Sequence, residues 1–143
     1  MTTKYVLGFL FDEAREQVLL IKKNKPRNLA GKWNGVGGKV EDGENYLDAM
    51  MREFEEEVGI ETYPANWEHC IYFTGNDSVT NKFAISVFRM FGDPYRYHRM
   101  EAEIPAVWMT DALPQHALVP NLKWMLPMLA DRRVIFPLSI EQS

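Results

Sequence analysis

The chain has 143 residues, of which 46% are apolar and 25% charged, and its net charge is −4. This composition predicts one folded domain spanning 1–143, and the acidic balance argues against a nucleic-acid surface. No stretch approaches the roughly 18 apolar residues that a membrane span needs. The one cysteine, Cys70, excludes an internal disulfide, which is compatible with the cytoplasmic location that we predict.

The predicted elements follow one another as strands interrupted by two helices. The first two strands, at 5–11 and 17–22, flank a polar turn at 12–16 and predict a hairpin. Then come an extended segment at 33–38, a helix at 45–58, strands at 67–74, 82–91 and 104–109 with a turn at 75–78, a helix at 121–130 and a short strand at 134–136. This order predicts an α/β fold in which helices pack on a mixed sheet.

The helix at 45–58 is predicted to be amphipathic. Its apolar side is formed by Leu47, Met51, Phe54 and Val58, with Met50 near the edge. Gly59 follows as a C-terminal stop, because glycine adopts the left-handed conformation that ends many helices.

A second side of this helix is acidic. Glu53, Glu56 and Glu57 stand at i, i+3 and i+4, and Arg52 is the one basic residue in the helix. Two interpretations are open: a solvated acidic face, or a site for hard cations. Mg2+ prefers carboxylate oxygens and is usually shared with substrate phosphates. We favour the cation site, since carboxylates facing a pyrophosphate would hold cations that neutralise it.

A glycine-rich loop precedes the helix, with four glycines between Gly31 and Gly38. Such a run lets the backbone approach a ligand closely, and its free N–H groups favour anions where it leads into a helix. Basic residues collect nearby, either as solvated lysines and arginine or to attract a triphosphate; they are Lys22, Lys23, Lys25, Arg27 and Lys32.

Loop and helix together follow the pattern G-x5-E-x7-R-E-U-x-E-E-x-G-U, from Gly38 to Ile60, with U a bulky apolar residue. This pattern resembles the signature box of the Nudix hydrolases, which cleave a nucleoside diphosphate linked to another group. The resemblance implies a Nudix-type α/β/α sandwich and a metal-dependent pyrophosphohydrolase that uses Mg2+, with Mn2+ as a substitute. The expected partner is a small-molecule nucleotide, and the oligomeric state stays open.

The resemblance also implies a role for each residue of the box. The implied metal ligands are the carbonyl of Gly37, the carboxylates of Glu53, Glu56 and Glu57, and a later carboxylate, Glu103 or alternatively Glu101. Glu53 is ligand or general base, and Glu44 is the second candidate for the base or else supports the metal ligands. Arg52 is expected to hold a neighbouring glutamate by a charge-assisted hydrogen bond.

The loop 31–39 is similar to that of Nudix enzymes that hydrolyse oxidised purine triphosphates such as 8-oxo-dGTP to the monophosphate and pyrophosphate. The implied substrate-binding residues are Lys23, Asn34, Gly38, Lys39 and Asn121. Lys39 lies near phosphate or is a surface lysine, and Asn121 offers its amide to a purine edge or caps the last helix.

The chain departs from the mammalian-type enzymes ahead of that helix. They have a tryptophan and acidic residues where Leu118, Val119, Pro120 and Asn121 stand, so aromatic stacking is lost there. The alternatives are a dinucleoside polyphosphate, RNA 5′-end or ADP-ribose substrate, or a non-catalytic nucleotide-sensing module.

Overall fold

The computed structural model describes residues 1–24 and 29–142. The strands are β1 (Thr2–Phe11), β2 (Gln17–Lys22), β3 (Trp33–Asn34), β4 (Val36–Lys39), β5 (Glu68–Asn76), β6 (Lys82–Phe91), β7 (Ile104–Met109) and β8 (Leu138–Glu141). The helices are α1 (Tyr46–Val58) and α2 (Leu122–Ala130), and short 3-10 turns lie at Pro64–Asn66, Pro94–Arg96 and Gln115–Ala117. No helix of the described ranges is long and apolar enough to cross a membrane.

All eight strands belong to one mixed sheet. β1 pairs in parallel with β6 along its whole length, β6 pairs antiparallel with β5, and β5 pairs in parallel with β8. The other edge of β1 is divided. The central residues of β1, 5–8, pair with β4, and only Phe11 at its end pairs with Val18 of β2. The predicted hairpin is therefore short, and β2 continues away from β1 to pair with β3 and β7.

The two helices cover opposite faces of this sheet, because successive side chains of a strand point to opposite faces. Leu7, Phe9 and Phe11 of β1 belong to the apolar cluster that includes the buried residues of α2. Val6 and Leu10 belong to the cluster that includes the buried residues of α1. The predicted fold class, an α/β/α sandwich with a mixed sheet, is confirmed.

Helix α1 begins and ends close to its predicted limits. The Asn45 side chain accepts a hydrogen bond from the Asp48 N–H, and Gly59 adopts φ 69°, which ends the helix. Met50 is fully buried, whereas Leu47 and Met51 are half-buried. The face that packs on the sheet is thus rotated slightly toward Met50.

Three details differ from the sequence-based elements. The strand predicted at 134–136 is wrong: pairing with β5 starts at Leu138, because Pro137 has no N–H to donate and the Phe136 ring packs under the Arg89 guanidinium at 4.7 Å. β5 continues through Asn76, which stays paired with Lys82, so the turn begins later than predicted. The segment at 33–38 forms two strands, β3 and β4, instead of one.

Candidate active site

A cavity of about 1180 Å3 lies between the glycine loop, α1 and the start of α2. The predicted site residues that line it are Lys23, Asn34, Gly37, Gly38, Lys39, Glu53, Glu57, Glu103 and Asn121. Glu44, Arg52 and Glu56 stand outside the lining that the described residues form. The predictions for Lys25 and Arg27 lie outside the described residues.

The three glutamates of α1 occupy different environments. Glu57 is buried, and its Oε2 accepts a hydrogen bond from the Gly37 N–H at 3.1 Å. The side chain of Glu53 is 13% exposed and that of Glu56 is 51% exposed. At 100° per residue, Glu57 is turned from Glu53 in one direction and Glu56 in the other. Only Glu53 and Glu57 therefore face the cavity together.

Two glycines of β4 let these carboxylates reach the sheet. A side chain at Gly37 would collide with the Val6 carbonyl oxygen, because β4 lies against β1 at this point. A Cβ at Gly38 would lie 2.6 Å from Glu53 Oε1. The glycines are needed here for space and not for a turn, since β4 is extended and paired.

Arg52 forms hydrogen bonds with three of the glutamates at this site. Its Nε and Nη2 donate to the two carboxylate oxygens of Glu44 at 2.7 and 3.0 Å. Its Nη1 donates to Glu53 at 3.0 Å and to Glu56 at 3.2 Å, and Nη2 also reaches the Lys39 carbonyl oxygen at 3.0 Å. The hydrogen bonds from Arg52 lower the pKa of Glu44. Glu44 is thus an ionised anchor for Arg52.

Burial raises the pKa of both α1 carboxylates that face the cavity, Glu53 and Glu57. Burial raises the pKa of Glu57 to about 8; Lys23 and the Gly37 N–H oppose this rise, and Glu53 and Glu103 add to it. Burial also raises the pKa of Glu53, against its hydrogen bond from Arg52. Glu53, Glu57 and Glu103 form a carboxylate wall, and burial disfavours the charged form of Glu53 and of Glu57.

Glu103 completes that wall from the segment before β7. It is buried, lies 3.6 Å from Lys23 Nζ and accepts a hydrogen bond from the Asn24 N–H at 3.3 Å. Glu101 also lines the cavity but is exposed.

This set of donors fits a hard cation that is shared with a ligand. Within the described residues, no three His, Cys, Asp or Glu side chains are close enough to hold a metal ion by themselves. Mg2+ does not need such a cage, because it keeps several waters and is usually bound by one or two carboxylates together with phosphate oxygens. The all-oxygen wall of Glu53, Glu57 and Glu103 matches that requirement.

The opposite part of the cavity is apolar, and sequence reasoning missed it. Its wall is formed by Tyr5 and Leu7 of β1, Phe73 of β5, Ile85 of β6, and Val119, Leu122 and Met125 around the start of α2. The Phe73 ring packs edge-on against Phe83 at 5.4 Å and Trp124 at 5.6 Å. Aromatic surface is thus supplied from β1 and β5, although none stands directly ahead of α2.

Two asparagine amides border this apolar part. Asn34 Oδ1 accepts a hydrogen bond from the Gly35 N–H at 2.8 Å. Asn121 has helical backbone angles, and its side chain makes no capping hydrogen bond; instead its Oδ1 accepts from Trp124 Nε1 at 3.2 Å. Asn121 thus stands at the predicted N-cap position of α2, but its side chain does not cap the helix. The Val119 N–H donates to the Trp33 carbonyl oxygen at 2.9 Å, which joins the two segments that carry the amides.

A family model described as the NUDIX domain matches residues 1–128. The chain belongs to the Nudix family. The prediction that it is a hydrolase is confirmed.

The sequence identity between this Nudix chain and individual relatives is low. It is 29% identical over 119 residues to the oxidized purine nucleoside triphosphate hydrolase of Mus musculus, which covers 82% of this chain and 74% of the mouse enzyme. It is 35% identical over 60 residues to an 8-oxo-dGDP phosphatase of Danio rerio, covering 42% of this chain but only 18% of that relative. A MutT Nudix hydrolase structure from Burkholderia pseudomallei matches with a TM-score of 0.74 at 23% identity, covering 89% of this chain and 97% of the other, and shows the shared fold.

Cys70 and the histidines lie apart from this Nudix site. Cys70 is a small core residue: it is fully buried, and burial raises the pKa of its thiol to about 12. His69, His98 and His116 stand outside the described lining of the cavity.

Proposed function

We propose that this Nudix hydrolase converts a nucleoside triphosphate, including an oxidised purine such as 8-oxo-dGTP, to the monophosphate and pyrophosphate, with Mg2+ or Mn2+ as cofactor. The observation that carries the proposal is that a single cavity has a carboxylate wall at one end and an apolar wall with two amides at the other. A nucleotide has the same division between a charged phosphate chain and a flat base. We further propose that 1–143 form one Nudix domain; its cytoplasmic location stays a prediction.

At the carboxylate end, Glu57, Glu103 and the Gly37 carbonyl would hold the cation, with Glu56 retained as an outer ligand because of the box pattern. The bound cation would neutralise charge on the phosphate oxygens and order the attacking water. Lys23 and Lys39, which line the cavity, would contact phosphate.

Glu53 is the better placed general base. A base must reach the water that attacks phosphorus. Glu53 lines the cavity, whereas both oxygens of Glu44 are taken by Arg52 outside the described lining. We therefore assign Glu44 and Arg52 to support, where they fix the orientation of Glu53.

The proposed reaction is tested with a panel of substrates in Mg2+, in Mn2+ and in excess EDTA. The panel contains 8-oxo-dGTP, dGTP, ADP-ribose, a diadenosine polyphosphate and a 5′-triphosphorylated RNA. We expect 8-oxo-dGTP to have the highest kcat/KM, pyrophosphate rather than orthophosphate to be released, and turnover to vanish in EDTA. If 8-oxo-dGTP reacts no faster than dGTP or ADP-ribose, the oxidised-purine assignment is wrong; turnover in EDTA would contradict the metal site.

Replacing Gly38 with alanine should disable the enzyme without unfolding it. The new Cβ would stand 2.6 Å from Glu53 Oε1 and force that carboxylate aside. A displacement of about 1 Å in a catalytic group costs on the order of 100-fold, so we expect kcat to fall by about that factor while the thermal midpoint changes little. The measurement is steady-state hydrolysis beside a melting curve.

Gly92→Ala is the matched control, because a Cβ there would meet only Leu10 Cδ1 at 3.6 Å, an ordinary contact. It should retain full turnover. Equal losses in the two variants would show that Gly38 has no special relation to Glu53.

A further inference from the structure

Lys23 and Glu103 face each other beyond the ends of two paired strands. Lys22, the last residue of β2, is paired with Ile104, the first residue of β7, so Lys23 and Glu103 are the next antiparallel pair. Such a pair places both side chains on one face of the sheet, with Cβ atoms about 5 Å apart. Both side chains line the cavity. The topology therefore sets a lysine directly against a carboxylate that we propose as a metal ligand.

The two partners are not held equally firmly. Glu103 is buried, and its Oε2 accepts a hydrogen bond from the Asn24 N–H at 3.3 Å, so its position does not depend on Lys23 alone. The backbone of Lys23 is fixed, because its N–H donates to the Lys32 carbonyl oxygen and its carbonyl oxygen accepts from the Gly31 N–H, both at 2.8 Å. Its Nζ lies 3.6 Å from Glu103 Oε1, which is close enough for an ion pair but too long for a hydrogen bond. The flexible lysine stem can thus turn away from Glu103 while both backbones stay in place.

Lys23 serves as a counter-ion of the carboxylate wall. It pairs with Glu103, and its charge opposes the rise in the pKa of Glu57 that burial causes. A divalent cation held by these two carboxylates would repel the lysine ammonium and occupy the oxygens that attract it. Lys23 would then find its negative partner in the phosphate chain, which the proposed function places in the same cavity.

We propose that Glu103 restrains Lys23 until its carboxylate is taken up by a divalent cation, so that Lys23 binds phosphate strongly only when the metal ion is present. This inference rests on the proposed function, in that a phosphate chain lies beside the carboxylate wall. Lys23 is then a phosphate contact whose availability depends on the partner of Glu103. The consequence is cooperative binding: the metal ion and the nucleotide each strengthen the binding of the other by the same factor.

The first test measures nucleotide binding without metal, where the restraint on Lys23 should be complete. The probe is α,β-methylene-dGTP, whose P–C–P bridge resists hydrolysis, and its binding is followed by calorimetry in excess EDTA. In Glu103→Gln the amide keeps an oxygen for the Asn24 N–H but no longer attracts Lys23. We therefore expect this variant to bind the probe at least about tenfold more tightly than the unmodified protein. The gain should be lost when Lys23→Met is added, which a double-mutant cycle measures directly.

Glu101→Gln is the matched control. Glu101 lines the same cavity, but it is exposed and forms no ion pair with Lys23 among the described residues. Removing its charge reduces the repulsion of phosphate without releasing Lys23, so we expect a gain of roughly twofold that is equal with Lys23 and with Lys23→Met. A Glu103→Gln gain that persists at full size in the Lys23→Met background would mean that charge removal alone explains it, and the inference would be overturned.

The reactivity of the Lys23 amine gives a second readout that needs no nucleotide. The Lys23 side chain is 15% exposed, so its reductive methylation, followed site by site by mass spectrometry, should be slow in EDTA. We expect the rate to rise several-fold in Mg2+ and, without Mg2+, in Glu103→Gln. The exposed Lys4 is the internal control and should react equally under all conditions. An unchanged Lys23 rate in either case overturns the inference, and this readout decides if Lys23→Met fails to fold or the probe binds too weakly in EDTA.

Hydrolysis assays separate this inference from the proposed reaction. If no triphosphate is hydrolysed, yet the Glu103→Gln gain requires Lys23 and Mg2+ makes the Lys23 amine reactive, the reaction is wrong and the inference holds. We expect Lys23→Met to weaken binding of the probe strongly in Mg2+ and little in EDTA. If triphosphates are hydrolysed but Lys23→Met weakens binding equally in Mg2+ and in EDTA, Lys23 is a fixed phosphate contact and the inference is wrong.

Discussion

Replacing Glu57 with glutamine is expected to reduce turnover in Mg2+ by at least about 100-fold and, in the metal-free protein, to increase stability at pH 8. The amide keeps an oxygen for the Gly37 N–H, which Glu57 now binds at 3.1 Å. It lacks the negative charge that a cation requires. It also removes a carboxylate that is costly to bury in ionised form.

The expected gain in the stability of Glu57→Gln follows from how the stability of the metal-free protein depends on pH. Burial raises the pKa of Glu57 from 4.5 to about 8. Between these values the folded protein retains a proton that the unfolded chain has lost, so the free energy of unfolding of the metal-free protein falls as the pH rises through this window. Glu57→Gln should remove that part of the slope. Mg2+ requires the ionised carboxylate, so it should raise the melting temperature of the unmodified protein most at the upper end of the window.

Melting curves in EDTA and in Mg2+ across this pH range, beside kcat, provide the measurement. Glu55→Gln is the control, because Glu55 is an exposed glutamate of the same helix. It should change neither turnover nor the slope. A Glu57→Gln protein that turns over at nearly the normal rate, or one whose metal-free stability falls with pH as steeply as before, would contradict the role assigned to Glu57.

Replacing Arg52 with alanine is expected to lower both stability and activity. Glu44 and Glu53, whose side chains are 15% and 13% exposed, would lose the Arg52 guanidinium with which both form ion pairs. Breaking a fully buried ion pair costs roughly 3–5 kcal/mol; since Arg52 is 23% exposed, we expect about 2 kcal/mol in the free energy of unfolding. Loss of a partner that orients a metal ligand typically costs about 10- to 100-fold, and kcat should fall within that range.

Urea denaturation and steady-state kinetics test this prediction, with Arg133→Ala as the control. Arg133 also forms a bidentate ion pair, in which it donates to the two carboxylate oxygens of Asp131 at 3.1 and 2.9 Å, but its side chain is 90% exposed. Exposed pairs contribute little, so neither stability nor turnover should change. If Arg52→Ala keeps the normal kcat despite its lower stability, Arg52 supports the fold alone and does not position Glu53.

The cation end of the site was predictable because its residues lie in one loop and one helix, where spacing along the chain translates into position. Periodicity placed Glu53, Glu56 and Glu57 near one another and Gly59 at the helix end. It did not predict that Glu57 is buried and Glu56 exposed. That difference depends on which side of α1 packs against β4, and the spacing of residues within a helix does not reveal which element packs against each side.

The base end was not predictable in the same way. Tyr5, Phe73 and Ile85 come from three strands, and only the parallel pairing of β1 with β6 and the antiparallel pairing of β6 with β5 bring them together. Nothing in the local sequence of these strands records their partners. Asn121 was recognised, yet its hydrogen bond from the Trp124 indole depends on where the Trp124 ring packs. The final strand was misplaced because the parallel partner of β5 begins only after Pro137.

The glycine segment that would bind the phosphate chain is also part of the sheet, since Gly37 and Gly38 are paired with Leu7 and Val6 of β1. A phosphate-binding segment in a free loop can adjust its shape to each ligand. A segment that is hydrogen-bonded within a sheet can move only if those backbone hydrogen bonds break. Accommodation of longer or shorter substrates would then come from the parts of the cavity lining that lie outside the strands, such as the exposed Glu101 and Ala102 and the first turn of α2. Changes that broaden the range of accepted nucleotides should accumulate on those parts.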